Sequence, residues 1–419
     1  MRRLLLFAGT ALLTAAAPSA ARTPEAVAAA ALKAAPVWDG HNDVPEQLRA
    51  RRKNMIADFD FRDTSNTADP AEKRVAMQTD LIRLRQGRVG AQFWSVHVST
   101  ELSEPQAVQA TLEQIDLTRR LVARYPAEMQ IATSSAEVET AMKAGKIASL
   151  IGMEGGHSIG GSLGVLRQMY SLGARYMTLA HYRNTAWADS ANDAPVHNGL
   201  TPFGRDVVRE MQRLGMLVDL SHVSEATMLD TLEVARAPVI FSHSNARAVN
   251  THPRNVADSV LDRLKVNGGI VMVNAYPGYI SENIRQWNIR SAAEQARAEA
   301  RFVGDPAGAA AALAEWEAAN PAPAGGISDV ANHIDHIARR AGIDHVGLGG
   351  DYDGIDVFLQ GMEDVSSYPA LFTELARRGY SQADLEKIAS RNMMRVLKAA
   401  EAYAVAHRDD PPIENATSF

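Results

Sequence analysis

The chain sets His41 and Asp43 two residues apart, directly after the apolar lead-in Ala35-Pro36-Val37-Trp38. Residues two apart on a strand face the same way, so an imidazole and a carboxylate would project together from a strand end. That is half of a divalent-metal site. Further along, Glu154, His181, His222, His243 and Asp351 stand at the ends of other short apolar runs. One histidine in such a place is ordinary core; four histidines with three carboxylates form a converging ligand set. This set exceeds what one open tetrahedral zinc uses. A carboxylate such as Glu154 can bridge two ions about 3.5–4 Å apart, with a water or hydroxide held between them. His41 and Asp43 would serve one ion, His222 and His243 the other. Water held there has its pKa lowered toward about 7, and the chemistry is hydrolytic.

Eight apolar runs supply the strand ends: 36–41, 91–98, 147–153, 175–181, 216–222, 238–243, 269–275 and 345–350. Helical patterns lie between them, among others at 71–85, 105–123, 202–214, 224–235, 256–266 and 328–340. The alternation predicts a (β/α)8 TIM-type barrel, whose catalytic groups gather at the C-terminal strand ends. An open doubly wound sheet is the alternative, but no glycine-rich phosphate turn follows the first strand. Residues 283–326 read as a helical insertion between strands 7 and 8: a solvated hairpin, a lid or a subunit contact.

Of the 419 residues, 46% are hydrophobic and 22% charged, as in a globular protein with a large core. The net charge of -6 offers no basic field for nucleic acid. With no cysteine, disulfides and thiolate ligands are excluded, so any metal is bound by nitrogen and oxygen. Met1-Arg2-Arg3, the apolar run to Ala17 and the small residues through Ala21 read as a signal peptide over 1–21. The barrel domain is then 22–405, with a mobile tail at 406–419. The expected mature protein is exported, periplasmic or secreted, and free of a membrane anchor.

Ordered blocks extend this reading: Asp39-Gly40-His41-Asn42-Asp43, Gly90-Ala91-Gln92-Phe93-Trp94-Ser95-Val96, and Gly152-Met153-Glu154-Gly155-Gly156-His157. They continue with Asn184-Thr185-Ala186-Trp187-Ala188-Asp189, Val218-Asp219-Leu220-Ser221-His222, and Pro238-Val239-Ile240-Phe241-Ser242-His243-Ser244. Arg254-Asn255-Val256 and Gly347-Leu348-Gly349-Gly350-Asp351-Tyr352-Asp353-Gly354 complete them. From residue 35 to about 400 the chain resembles the membrane (renal) dipeptidase family of zinc peptidases, within the amidohydrolase-type barrels.

The resemblance implies two zinc ions per subunit, with His41 and Asp43 on one, His222 and His243 on the other, and Glu154 bridging. It implies attack of a bridging hydroxide on the peptide carbonyl, Asp351 as acid/base carboxylate and His181 as donor to the carbonyl oxygen. Arg254 would hold the substrate's C-terminal carboxylate, and Tyr279 would line the pocket. Substrates would be dipeptides, including those ending in a D-residue, and β-lactams; a noncovalent homodimer is expected. His157, His333 and His336 read as supporting or structural, and Asp353 and Asp356 as loop carboxylates, Asp353 placed to orient Asp351. Where mammalian members carry a cleft tryptophan this chain has Glu46, which points to basic or small substrate side chains. A lactonase or phosphotriesterase-like enzyme would need His-x-His and a bridging lysine, which are lacking. A peptide-binding protein without turnover would not need Asp351.

Overall fold

A computed structural model describes residues 22–414; residues 1–21, where a signal peptide is expected, and the last residues of the tail lie outside them. Nine parallel strands are present among the described residues: β1 (Val37–Asn42), β2 (Val89–His97), β3 (Met129–Ile131), β4 (Ile147–Glu154), β5 (Ala174–Thr178), β6 (Leu217–Asp219), β7 (Ile240–Phe241), β8 (Ile270–Val273) and β9 (Val346–Leu348). Eight of them close a barrel in the order β1-β2-β4-β5-β6-β7-β8-β9, because β4 pairs with β2 and β9 with β1. The fold is the (β/α)8 barrel expected. The extra strand, β3, borders the first residues of β4, below the point where β5 takes over that edge.

Alternation along the strands divides the apolar residues between two layers. Trp38, Phe93, Leu150, Tyr176, Leu217, Ile240, Ile270 and Met272 fill the barrel interior. Val37, Trp94, Ile151, Met177, Val218, Phe241, Val271 and Leu348 face the surrounding helices. The helices carry local start signals: Ser224 and Thr201 accept hydrogen bonds from Thr227 and Gly204, and Pro202 opens its helix. The expected helix at 71–85 shrinks to Leu81–Gln86. Upstream, the backbone is committed elsewhere: Asp69 and Arg74 bridge each other, and the Gln78 amide donates to Asp353.

The insertion is two helices, Glu282–Arg301 and Pro306–Ala319, joined by contact of Trp287 with Trp316. No helix among the described residues is long and apolar enough to cross a membrane. In the described part of the tail, the Ile413 amide donates to Glu210 at 3.2 Å, and its carbonyl accepts from Arg167 at 3.1 Å.

Candidate metal centre and active site

His41, Glu154, His181, His222, His243 and Asp351 meet at the C-terminal rim of the barrel. Asp43 joins them, though by a different route from strand alternation. β1 ends at Asn42, and Asp43 caps the helix Val44–Arg52. The β1–β2 register slips between Asp39 and Asn42, so His41 and Asp43 converge through an irregular strand end. Two turns on the same rim hold strained residues: His222 in one, and Asp351 and Asp353 in the other, have φ of 67°, 63° and 68°. A non-glycine residue held in that region costs of order 1–3 kcal/mol and persists where the surroundings over-determine it. Gly354 is required, since a Cβ there would fall 2.3 Å from Asp43 Oδ2 and 2.8 Å from Asp351 Oδ1.

The ligand atoms form two groups around Glu154. His41 Nε2 lies 3.3 Å from Asp43 Oδ2 and 3.4 Å from Glu154 Oε2. Glu154 Oε1 lies 3.0 Å from His222 Nε2 and 3.3 Å from His243 Nε2, which are 2.8 Å from each other. Ligands at about 2.0–2.1 Å around a tetrahedral ion are about 3.3 Å apart. The donor set therefore fits a metal in each group, with Glu154 shared. Two buried atoms, His41 Nε2 and Asp43 Oδ1, have no hydrogen-bond partner, consistent with a ligating role.

Supporting contacts aim these groups. Ser242 Oγ donates to Asp219 Oδ2 at 2.7 Å and meets His243 Nδ1 at 2.8 Å. His243 Nδ1–H can then donate to the hydroxyl, leaving the Nε2 lone pair for a metal. Asp219 also accepts from Thr178 Oγ1 and from the amides of Ser221 and Ser242. His41 Nδ1 lies 2.8 Å from Tyr176 Oη, and Ser95 Oγ donates to Glu154 Oε2 at 3.1 Å. Asp39 ties β1 to β9 by accepting from Tyr368 Oη and the Gly350 amide.

Charge follows burial and neighbours. Burial pushes His222 and His243 well below the usual imidazole range, helped by Arg254, so both present free lone pairs. Burial alone would raise Glu154; the imidazoles gathered around it, His41 and His181 first and then His222 and His243, hold it well below the carboxylate range. Burial pushes Asp351 well above that range, opposed by His41 and reinforced by Asp43 and Glu154. Burial likewise keeps His181 neutral, with its Nε2 3.5 Å from Glu154 Oε1.

A cavity of about 310 Å³ opens over this centre, lined by Asp43, Glu154, His181, His222, Asp351 and Tyr279 among others. Arg254 is fully buried beside it rather than lining it. Its Nη1 donates to Ser244 Oγ and its Nη2 to the His243 carbonyl; Nε has no partner, and the Tyr279 ring stands 5.7 Å from the guanidinium carbon. His157 Nε2 bonds the Val98 carbonyl, and His333 clamps Ala246 to Ile280. Asp353 exchanges bonds with Gln78 and so braces the turn carrying Asp351.

Two contributors escaped the sequence reading. His97, the last residue of β2, reaches the cavity and pairs with Glu46, its Nδ1 3.2 Å from Glu46 Oε2. Burial lowers His97, but the bond and charge of Glu46 prevail and raise it to about 9. The strand-end rule that singled out the other histidines applied to it equally. Asp219 carried no such signal, because its role depends on three distant donors.

The model of the membrane dipeptidase family (peptidase family M19) matches residues 25–410. This chain belongs to the membrane dipeptidase family. It is 42% identical over 384 residues to Dipeptidase 3 of Macaca fascicularis, covering 90% of this chain and 68% of that protein. Dipeptidase tcpJ of Claviceps purpurea is 40% identical over 384 residues, 90% of this chain and 79% of its own. Among solved structures, the probable dipeptidase PvdM from Pseudomonas aeruginosa shares the fold, with a TM-score of 0.76 at 24% identity, covering 91% of this chain and 99% of that one. The metallopeptidase dipeptidase AC superposes with a TM-score of 0.69 at 25% identity, over 87% of this chain and 98% of its own. The enzyme is a metallo-dipeptidase, a hydrolase of peptide bonds.

Proposed function

We propose that this metallo-dipeptidase works with two zinc ions, His41 and Asp43 holding one, His222 and His243 the other, and Glu154 both. The division of the two Glu154 oxygens between two ligand groups carries the reading. When bound, the ions supply Lewis acidity and make water nucleophilic near neutral pH. Asp351 takes the proton of the attacking water and delivers it to the departing amine nitrogen. His181 donates to the carbonyl oxygen as it gains charge. Arg254, with its unpartnered Nε beneath Tyr279, anchors the free C-terminal carboxylate once that ring turns aside.

The same site accepts dipeptides ending in a D-residue and opens β-lactams. The first point is supported by a related fold from Rhodobacter sphaeroides that was solved with a phosphinate mimic of L-Ala-D-Ala. We place the enzyme outside the cytoplasm, with 1–21 removed from the 22–405 domain, as a noncovalent homodimer. The test is release of amino acids from L-L and L-D dipeptides by chelated protein and by the same protein restored with zinc. Zinc-dependent cleavage of free but not C-terminally amidated dipeptides is expected. Turnover unaffected by chelation, or equal on amidated substrates, would overturn the reading.

A further inference from the structure

Glu46 and His97 give the cavity a feature that the metal chemistry does not use. Glu46 sits in the first turn of the helix that follows β1, and His97 ends β2. Their side chains are 40% and 15% exposed, and the 3.2 Å contact joins them on the cavity wall. The His97 ring lies 4.5 Å from that of His181, beside the reacting centre. The carboxylate that Glu46 would offer a basic side chain is therefore already answered by His97.

The barrel order fixes which end of a substrate meets this pair. From β2 to β7 is four strands in either direction around the ring, so they stand opposite. Arg254 and its cover, Tyr279, follow β7 and β8 respectively. A dipeptide whose carboxylate lies at Arg254 and whose carbonyl lies at Glu154 and His181 must extend its N-terminal residue toward β1 and β2. This step rests on the metallo-dipeptidase reading above.

The pair offers a carboxylate oxygen that accepts and a second imidazole nitrogen that donates or accepts. An apolar side chain would bury these groups without partners, which is costly. A cationic side chain would have to compete with His97 for Glu46, and an anionic one would face Glu46 and Asp356. A carboxamide satisfies both members, since its NH2 donates to Glu46 while the same group or its oxygen meets the imidazole in either protonation state. We infer that Glu46 and His97 form the subsite for the N-terminal side chain and select a neutral carboxamide, glutamine or asparagine.

The experiment compares kcat/KM for X-Ala dipeptides with X as Gln, Asn, Met, Phe, Lys and Glu, using zinc-loaded wild type, His97→Phe and Glu46→Leu, with bound zinc measured in each. In wild type, Gln-Ala is expected to exceed the near-isosteric Met-Ala at least tenfold. In each variant that ratio falls toward one, mainly through KM for Gln-Ala, with zinc content retained. Met-Ala, Phe-Ala or Lys-Ala equal to or better than Gln-Ala in wild type would overturn the inference, and that comparison needs no variant to fold. A uniform loss on all substrates with lost zinc in both variants would overturn it too, assigning the pair to support of the centre. Failure to cleave any dipeptide would instead remove the dipeptidase reading, and this inference with it.

Discussion

Replacing Asp219 by asparagine should damage one metal position without touching a ligand. The Asp219 carboxylate receives four donors: Thr178 Oγ1 at 2.6 Å, Ser242 Oγ at 2.7 Å, and the amides of Ser242 at 2.8 Å and Ser221 at 3.1 Å. The two amides bind Oδ1 and the two hydroxyls bind Oδ2. In Asp219→Asn the amides cannot reverse, so they keep the amide oxygen at Oδ1 and place the NH2 where Oδ2 was. That NH2 donates to Ser242 Oγ, whose hydrogen loses its acceptor and turns toward His243 Nδ1 at 2.8 Å in preference to the longer 3.3 Å contact with Ser221 Oγ. The proton of His243 then moves to Nε2, the atom that should hold the metal. Loss of such an outer contact typically costs 10–100-fold in metal affinity, or about 1.4–2.7 kcal/mol. Competition with a chromophoric chelator reads this directly: one zinc equivalent should weaken by that factor and the other stay unchanged, with activity recovered in excess zinc. Ser242→Ala, which removes the relay without forcing the wrong tautomer, should weaken binding less. An Asp219→Asn protein that holds both equivalents as wild type does would refute the relay.

Asp351→Asn should keep both zinc equivalents and lower kcat by about 10²–10⁴, the range of a lost acid/base group; metal analysis beside steady-state kinetics checks it. His333 is held at about 4 by burial, against 6.5 when unfolded. The unfolded chain then binds more protons between those values, so this contribution to stability is present above about 6.5 and lost as pH falls toward 4. At pH 5 the loss is about 2 kcal/mol. His333→Gln can keep both bonds without titrating, so urea unfolding at pH 7.5 and 5 should show a smaller acid loss in the variant; equal losses would count against the assignment. Tyr368→Phe removes the hydroxyl that donates to Asp39 at 2.6 Å, a charge-assisted bond whose loss should cost about 1.5–3 kcal/mol in the same assay.

The barrel and the ligand set were legible in the sequence because both are written locally. Short apolar runs alternating with helical patterns specify buried parallel strands, and the chemistry of such a barrel lies at the ends of those runs. Reading the residue types there picked out His41, Glu154, His222, His243 and Asp351, which the fold brings together. The absence of cysteine settled the nature of the donor atoms before any geometry was known.

What only the tertiary structure decided is how those groups are aimed and what faces them. Asp219 and Thr178 are 41 residues apart, and Asp39 and Tyr368 are 329 apart. No local pattern encodes such pairs: the β5–β6 pairing sets Thr178 beside Asp219, and closure of β1 against β9 brings Tyr368 to Asp39. The same cause turned most of the expected 71–85 helix into a loop: its backbone found partners in Asp353 and in its own bridge, and these outweighed a weak helical preference. It also answered the charge of Glu46 with His97. The sequence determined that a hydrolytic metal centre could form here; the folded chain decided how its groups are aimed and set His97 against Glu46 on the cavity wall.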